Sequence, residues 1–65
     1  MTVKQEIRML KEYARSALLR EYGFAPALNQ IVLLETFFNG VPQYVLFRVG
    51  NHEYSFDGIT MEKRG

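Results

Sequence analysis

Cysteine is absent from the 65-residue chain. That excludes a disulfide framework, an iron–sulfur cluster and every cysteine-based zinc site. It also favours a reducing cytosol over a secreted setting, where small domains tend to be stapled. Histidine occurs once, at His52, and the seven acidic residues are scattered. None forms a spacing typical of a metal site, so no metal and no cofactor are expected. No phosphate-cradling glycine motif is present either. Long apolar runs are missing: the longest is Ile31-Val32-Leu33-Leu34, against about 20 residues for a membrane-spanning helix. The stretch Met1–Arg8 lacks the unbroken apolar segment of a signal peptide. A formal net charge of +1 supplies no global drive toward nucleic acid or anionic lipid. The length allows one small domain, residues 1–65, and excludes most enzymes that carry a cofactor domain.

What is present is apolar surface. Hydrophobic residues make up 48% of the chain, and five Phe and four Tyr argue against disorder. From Thr2 to Tyr22 the pattern is helical. Thr2 and Gln5 suit a capping box. Val3, Ile7, Leu10, Ala14, Ala17 and Leu18 fall on one helical face. Gly23 suits the left-handed residue that ends a helix, and Pro26 stops any continuation.

The remainder reads as strands joined by three tight turns: Asn39-Gly40, Gly50-Asn51 and Asp57-Gly58. As two-residue loops they set Val32 against Phe47 and Leu34 against Val45. They then set Phe47 against Tyr54, Val45 against Phe56, and Phe56 against Ile59. All these residues share one face, and a one-residue slip in any hairpin would break the agreement. Arg48 then faces Glu53 on the other side. Glu53 would oppose Glu62, a mismatch that points to fraying or a shift in the last strand. The expected fold class is therefore α+β: one N-terminal helix packed on a four-stranded antiparallel meander. Ile7, Leu10, Ala14 and Leu18 would be buried against Val32, Leu34, Val45, Phe47, Tyr54 and Phe56.

Two surfaces remain. The first hairpin is apolar on both faces, leaving Ile31, Leu33, Phe37, Tyr44 and Leu46 away from the helix, broken by Glu35 and Arg48. Contiguous apolar area of that kind marks a binding surface unless Phe24, Leu28 or the C-terminal tail folds over it. The expected interface residues are Leu33, Phe37, Tyr44 and Leu46, most simply in a homodimer. The second surface is a basic stripe: Lys4, Arg8, Lys11 and Arg15 align on one side of the helix. A solvated face accounts for it, with Glu12 nearby, and phosphate contact is the functional alternative.

Ser16 and Ser55 lack a nucleophile signature. His52 and Glu53, adjacent on a strand, point to opposite faces. The order of helix then strands is similar to half of a double-stranded RNA-binding domain. With Gly50-Asn51-His52, it also resembles the HicA-type ribonuclease toxins, whose glycine–serine–histidine motif supplies a catalytic histidine. Asn51 stands where that family has serine, and no helix follows the sheet. The expected function is a non-enzymatic, cytosolic protein-interaction module that self-associates, of the size of small bacterial or prophage accessory proteins. Sequence-tolerant nucleic-acid binding through the helix is the alternative, and no membrane partner is expected.

Overall fold

The computed structural model describes residues 2–65. Its elements are helix α1 (Val3–Tyr22), a 3-10 turn (Leu28–Gln30), and strands β1 (Ile31–Asn39), β2 (Val41–Val49), β3 (His52–Phe56) and β4 (Met61–Lys63). The strands form one antiparallel sheet in the order β1-β2-β3-β4, with α1 packed against it. This is the expected α+β meander.

Helix α1 begins and ends as its sequence dictates. The Thr2 hydroxyl accepts from the Gln5 N–H at 3.2 Å, and the Gln5 side-chain oxygen accepts from the Thr2 N–H at 2.9 Å. Two otherwise orphaned donors are thereby satisfied. At the far end Gly23 adopts φ 79° and donates its N–H to the Leu19 carbonyl.

The helix runs across the strands. Its first half lies beside β1, where Ile7 and Leu10 line a groove with Ile31 and Leu33. Its second half reaches β3: the Tyr22 ring packs on Tyr54 at 5.6 Å, and the Arg20 guanidinium sits over Phe56 at 5.4 Å. Twenty residues make a helix about 30 Å long, whereas four strands span only about 14 Å between their outer axes. The first turns therefore overhang the β1 edge. Val3 is 72% exposed and Ile7 41% exposed, which corrects the expectation that Ile7 is buried.

The second hairpin has the expected register in full: Val49 opposite His52, Arg48 opposite Glu53, Phe47 opposite Tyr54 and Val45 opposite Phe56. The first does not. Phe38 stands opposite Pro42, Thr36 opposite Val45 and Leu33 opposite Phe47, with Leu34 and Gln43 left as extra residues in two bulges. That slip exchanges the faces of the first part of β1. Ile31 goes under the helix and is 1% exposed, while Val32 and Leu34 are 43% and 42% exposed. Val32 and Leu34 thus do not join the core as expected, and Leu33 turns to the helix side, half-buried against the core. Because β1 is apolar on both faces, either register buries apolar side chains, and alternation cannot select between them.

The third connection is longer than a two-residue loop. Met61, not Ile59, stands opposite Phe56, and Ser55 rather than Glu53 faces Glu62. The expected carboxylate clash is thereby removed by a two-residue shift that preserves the face of every side chain. The Asp57 carboxylate stabilises the longer turn by accepting from the N–H groups of Ile59 (2.9 Å) and Thr60 (2.8 Å). That is the side-chain mimicry of a backbone turn at which aspartate excels.

The core lies between α1 and the sheet. Ala14, Ala17 and Leu18 meet Ile31, Val45, Phe47, Tyr54 and Phe56. The alanines let the helix approach closely, and the Phe47 ring stacks on Tyr54 at 5.5 Å. Burial of large aromatic rings supplies most of the apolar area such a small core can hide.

Candidate interaction surfaces

The sheet face away from α1 is set by pairing, because residues directly opposite share a face. One row holds Phe37 and Tyr44, the next Glu35, Leu46, Ser55 and Glu62, and the next Val32, Arg48 and Glu53. Phe37 is 55% exposed, and Tyr44 and Leu46 are half-buried. Three of the four interface residues expected from sequence are thus brought together on this face. Leu33 is not: the bulge at Leu34 places it on the helix side, and Val32 takes its place on the outer face.

Two of the chain segments that could have covered this face, Leu28 and the C-terminal tail, lie elsewhere. Leu28 packs against the core on the helix side. The C-terminal tail continues the line of β4, where the Arg64 N–H donates to the Glu53 carbonyl at 2.7 Å and the Glu53 N–H donates to the Gly65 carbonyl at 2.8 Å.

A second concave surface was not foreseen. Beside the free edge of β1, the overhanging turns of α1 form a groove of about 520 Å³, lined by Val3, Ile7, Leu10, Ile31, Leu33 and Leu34. Sequence reasoning missed it because it depends on where the helix crosses the sheet. Its signals in the sequence are Val3 and Ile7, apolar positions beyond what a narrow sheet can cover, and an edge strand with neither lysine nor internal proline to protect it.

The basic stripe is where the helical period puts it. Lys4, Arg8 and Lys11 border a shallow cleft of about 290 Å³ together with Ile7, Leu28 and Asn29. Arg15 is exposed on the same side of the helix, outside this cleft. Arg8 is partly engaged: its Nε lies 3.3 Å from the Glu12 carboxylate. An exposed pair of this kind contributes little to stability, but it reduces the charge the stripe presents.

Of the other residues weighed for chemistry, His52 is exposed at the second turn and Glu53 lies on the opposite face, as the strand period requires. Ser55 is 6% exposed in the middle of the sheet. Among the described residues no cluster of three His, Cys, Asp or Glu is placed to hold a metal. Among the described residues no helix is long and apolar enough to cross a membrane.

Comparison with known proteins finds no matching family model, no matching curated protein and no matching solved structure.

Proposed function

We propose that the protein is a non-enzymatic, cytosolic interaction module that self-associates through the outer face of its first hairpin, most simply as a homodimer. The observation that supports this reading is the cluster of Phe37, Tyr44 and Leu46 on a sheet face with neither α1 nor the C-terminal tail over it. An antiparallel sheet normally needs one apolar face, with the other solvated. Two such faces meeting about 10 Å apart would remove these rings from water on both copies. Glu35 and Arg48 sit on the same face with opposite signs, which gives a two-fold pairing a charge match at its rim. The thermodynamic motive is size. A chain of 65 residues is expected to be stable by only about 3–10 kcal/mol, and association adds to that. The absence of cysteine is the ground for a cytosolic setting.

The test follows amide signals over a concentration series. Shifts and broadening should map to Glu35, Phe37, Tyr44 and Leu46, and Leu46→Lys should abolish them while preserving the helix and core signals. Changes confined to other surfaces would refute this interface.

The basic stripe supports a second reading. Lys4, Arg8 and Lys11 converge on one cleft, an arrangement that suits phosphate contacts along a nucleic-acid backbone, with Arg15 extending it. Such binding would be sequence-tolerant and would weaken steeply with salt, since each neutralised phosphate releases counterions. Titration of labelled duplex DNA and single-stranded RNA at low salt decides this reading. Arg8→Glu with Lys11→Glu should weaken every complex alike, and an absence of binding at tens of micromolar protein leaves the stripe a solvated face.

A further inference from the structure

The two edges of the sheet differ. Strand β4 has three residues, Met61–Lys63, and its line carries Glu62, Lys63 and Arg64. Short, charged strands are the usual protection of a sheet edge against unwanted pairing. Strand β1 has nine residues, one charge and no proline. Its free side therefore presents backbone donors and acceptors to solvent beside apolar side chains.

The overhang of α1 makes this edge a notch. Val3 and Ile7 project beyond the sheet, and Ile31, Leu33 and Leu34 form the adjoining wall. Leu34 as well as Leu33 lines the notch, and the irregularity at Leu34 interrupts the regular strand after Leu33. Side-chain burial under the helix, rather than a long ladder, must supply most of the affinity of any occupant.

Charge gives the notch a direction. Lys11 and Asn29 belong both to the notch and to the neighbouring cleft that holds Lys4 and Arg8. The end next to the 3-10 turn therefore carries Lys11, with Lys4 and the Glu12-paired Arg8 beyond it in the cleft, and Glu6 is the acidic residue of the notch lining. An occupant that runs along β1 meets apolar surface first and positive charge as it passes Asn29.

We propose that this notch receives an extended peptide strand of a partner protein, apolar where it passes beneath Val3 and Ile7 and acidic where it leaves past Lys11. It would add a strand to β1, with backbone hydrogen bonds fixing its position and the side chains giving specificity. A second copy of the chain fits less well. Two-fold pairing of β1 with its equivalent puts both helices on the same side of the joined sheet, where their overhanging first turns compete for the same space. The notch shares Val32 with the margin of the outer face but includes none of Phe37, Tyr44 and Leu46, so this inference stands or falls independently of self-association through those three residues.

The experiment is a selection from a displayed library of random ten-residue peptides with the full chain as bait. Three variant baits run beside it: Val3→Asp with Lys11→Glu, Lys11→Glu alone, and Leu46→Lys. Retained peptides should alternate apolar residues and carry Asp or Glu toward one end. They should be retained at least tenfold better on the unaltered chain than on the double variant, and equally well on Leu46→Lys. Lys11→Glu alone should reverse the preference to basic ends, a change that loss of folding cannot produce. Addition of a selected peptide should shift the amides of Ile31 to Leu34. No enrichment, equal retention on the double variant, proline-rich or basic consensus sequences, or shifts on the Phe37–Tyr44 face would each overturn the proposal. So would self-association of the chain that occupies the Ile31–Leu34 amides.

Discussion

Phe37 lies directly opposite Tyr44 across the first hairpin, on the sheet face that α1 does not cover. Leu46 follows two positions along β2 on the same face. The three are held there by a register that includes two bulges, so their grouping belongs to the folded hairpin and not to the linear sequence. A lysine at position 46 would place a charge in the middle of this group. Leu46→Lys should raise the dissociation constant of the self-complex at least tenfold, equivalent to about 1.4 kcal/mol. The unfolding free energy of the diluted chain should change by less than about 1 kcal/mol. Dilution calorimetry and denaturant titration measure the two effects separately.

Gly58 is held against Tyr13. A methyl group added at Gly58 would stand 3.0 Å from the Tyr13 hydroxyl, and its φ of 97° is disfavoured for side chains with a Cβ. Gly58→Ala should cost about 1–3 kcal/mol, combining backbone strain with the contact. In a Tyr13→Phe background the contact part disappears, so the double-mutant cycle should show favourable coupling between the substitutions. Equal costs in both backgrounds would mean that backbone strain is the whole effect. The tyrosine itself contributes modestly, through a 3.3 Å hydrogen bond to the Gln43 carbonyl.

Phe47 is fully buried. Phe47→Ala should cost about 3–5 kcal/mol, which is all of the stability at the low end of the range of about 3–10 kcal/mol expected for a chain this small and a third to a half at the high end. Denaturant titration followed by circular dichroism should show the unfolding free energy reduced by that amount. Val3→Ser, on the overhanging turn, should change the melting temperature little, because Val3 is 72% exposed.

Acid and alkali should act on different residues. The Asp57 carboxyl is held below its ordinary value of 3.8, first by the N–H of Thr60 and then by that of Ile59. A depressed folded-state value contributes stability above pH 3.8 that is lost as pH falls through the folded value. Asp57→Asn keeps an acceptor oxygen in the turn but removes the titration, so its unfolding midpoint should fall less on acidification. The Tyr13 hydroxyl is raised above its ordinary value of 10.0 by desolvation, then by the Asp57 charge, with Arg20 opposing. Its contribution is fully present below pH 10 and is lost as pH rises through the folded value. Tyr13→Phe should be less sensitive in that alkaline range. Unfolding midpoints measured from acid to alkali check both signs.

Legibility from sequence varied with how strongly each hairpin alternates. In the second hairpin, His52, Tyr54 and Phe56 alternate with Glu53 and Ser55, and the turn glycine Gly50 takes positive φ. One register satisfies everything, and it is the one found. In the first hairpin Ile31 to Leu34 are all apolar, so burial alone leaves the face undecided, and the bulges at Leu34 and Gln43 settle it. The third turn was half legible. The Glu53–Glu62 conflict signalled a shift, but its size depends on the Asp57 side chain accepting two backbone donors. Of the candidate interface, Phe37, Tyr44 and Leu46 were readable because they lie beyond or opposite the bulge. Leu33 lies on the far side of the bulge at Leu34 from the turn, so its face is the reverse of the one expected. The notch under α1 was not readable, since no residue pattern states a crossing angle.

Sedimentation equilibrium over a wide concentration range tests the central claim most directly. The chain has a mass of 7.6 kDa. The apparent mass should rise with concentration toward about twice that value, as the commonest closed assembly requires, and should stay at the monomer value for Leu46→Lys. A constant monomer mass at the highest attainable concentration would contradict it, as would a rise that Leu46→Lys leaves unchanged.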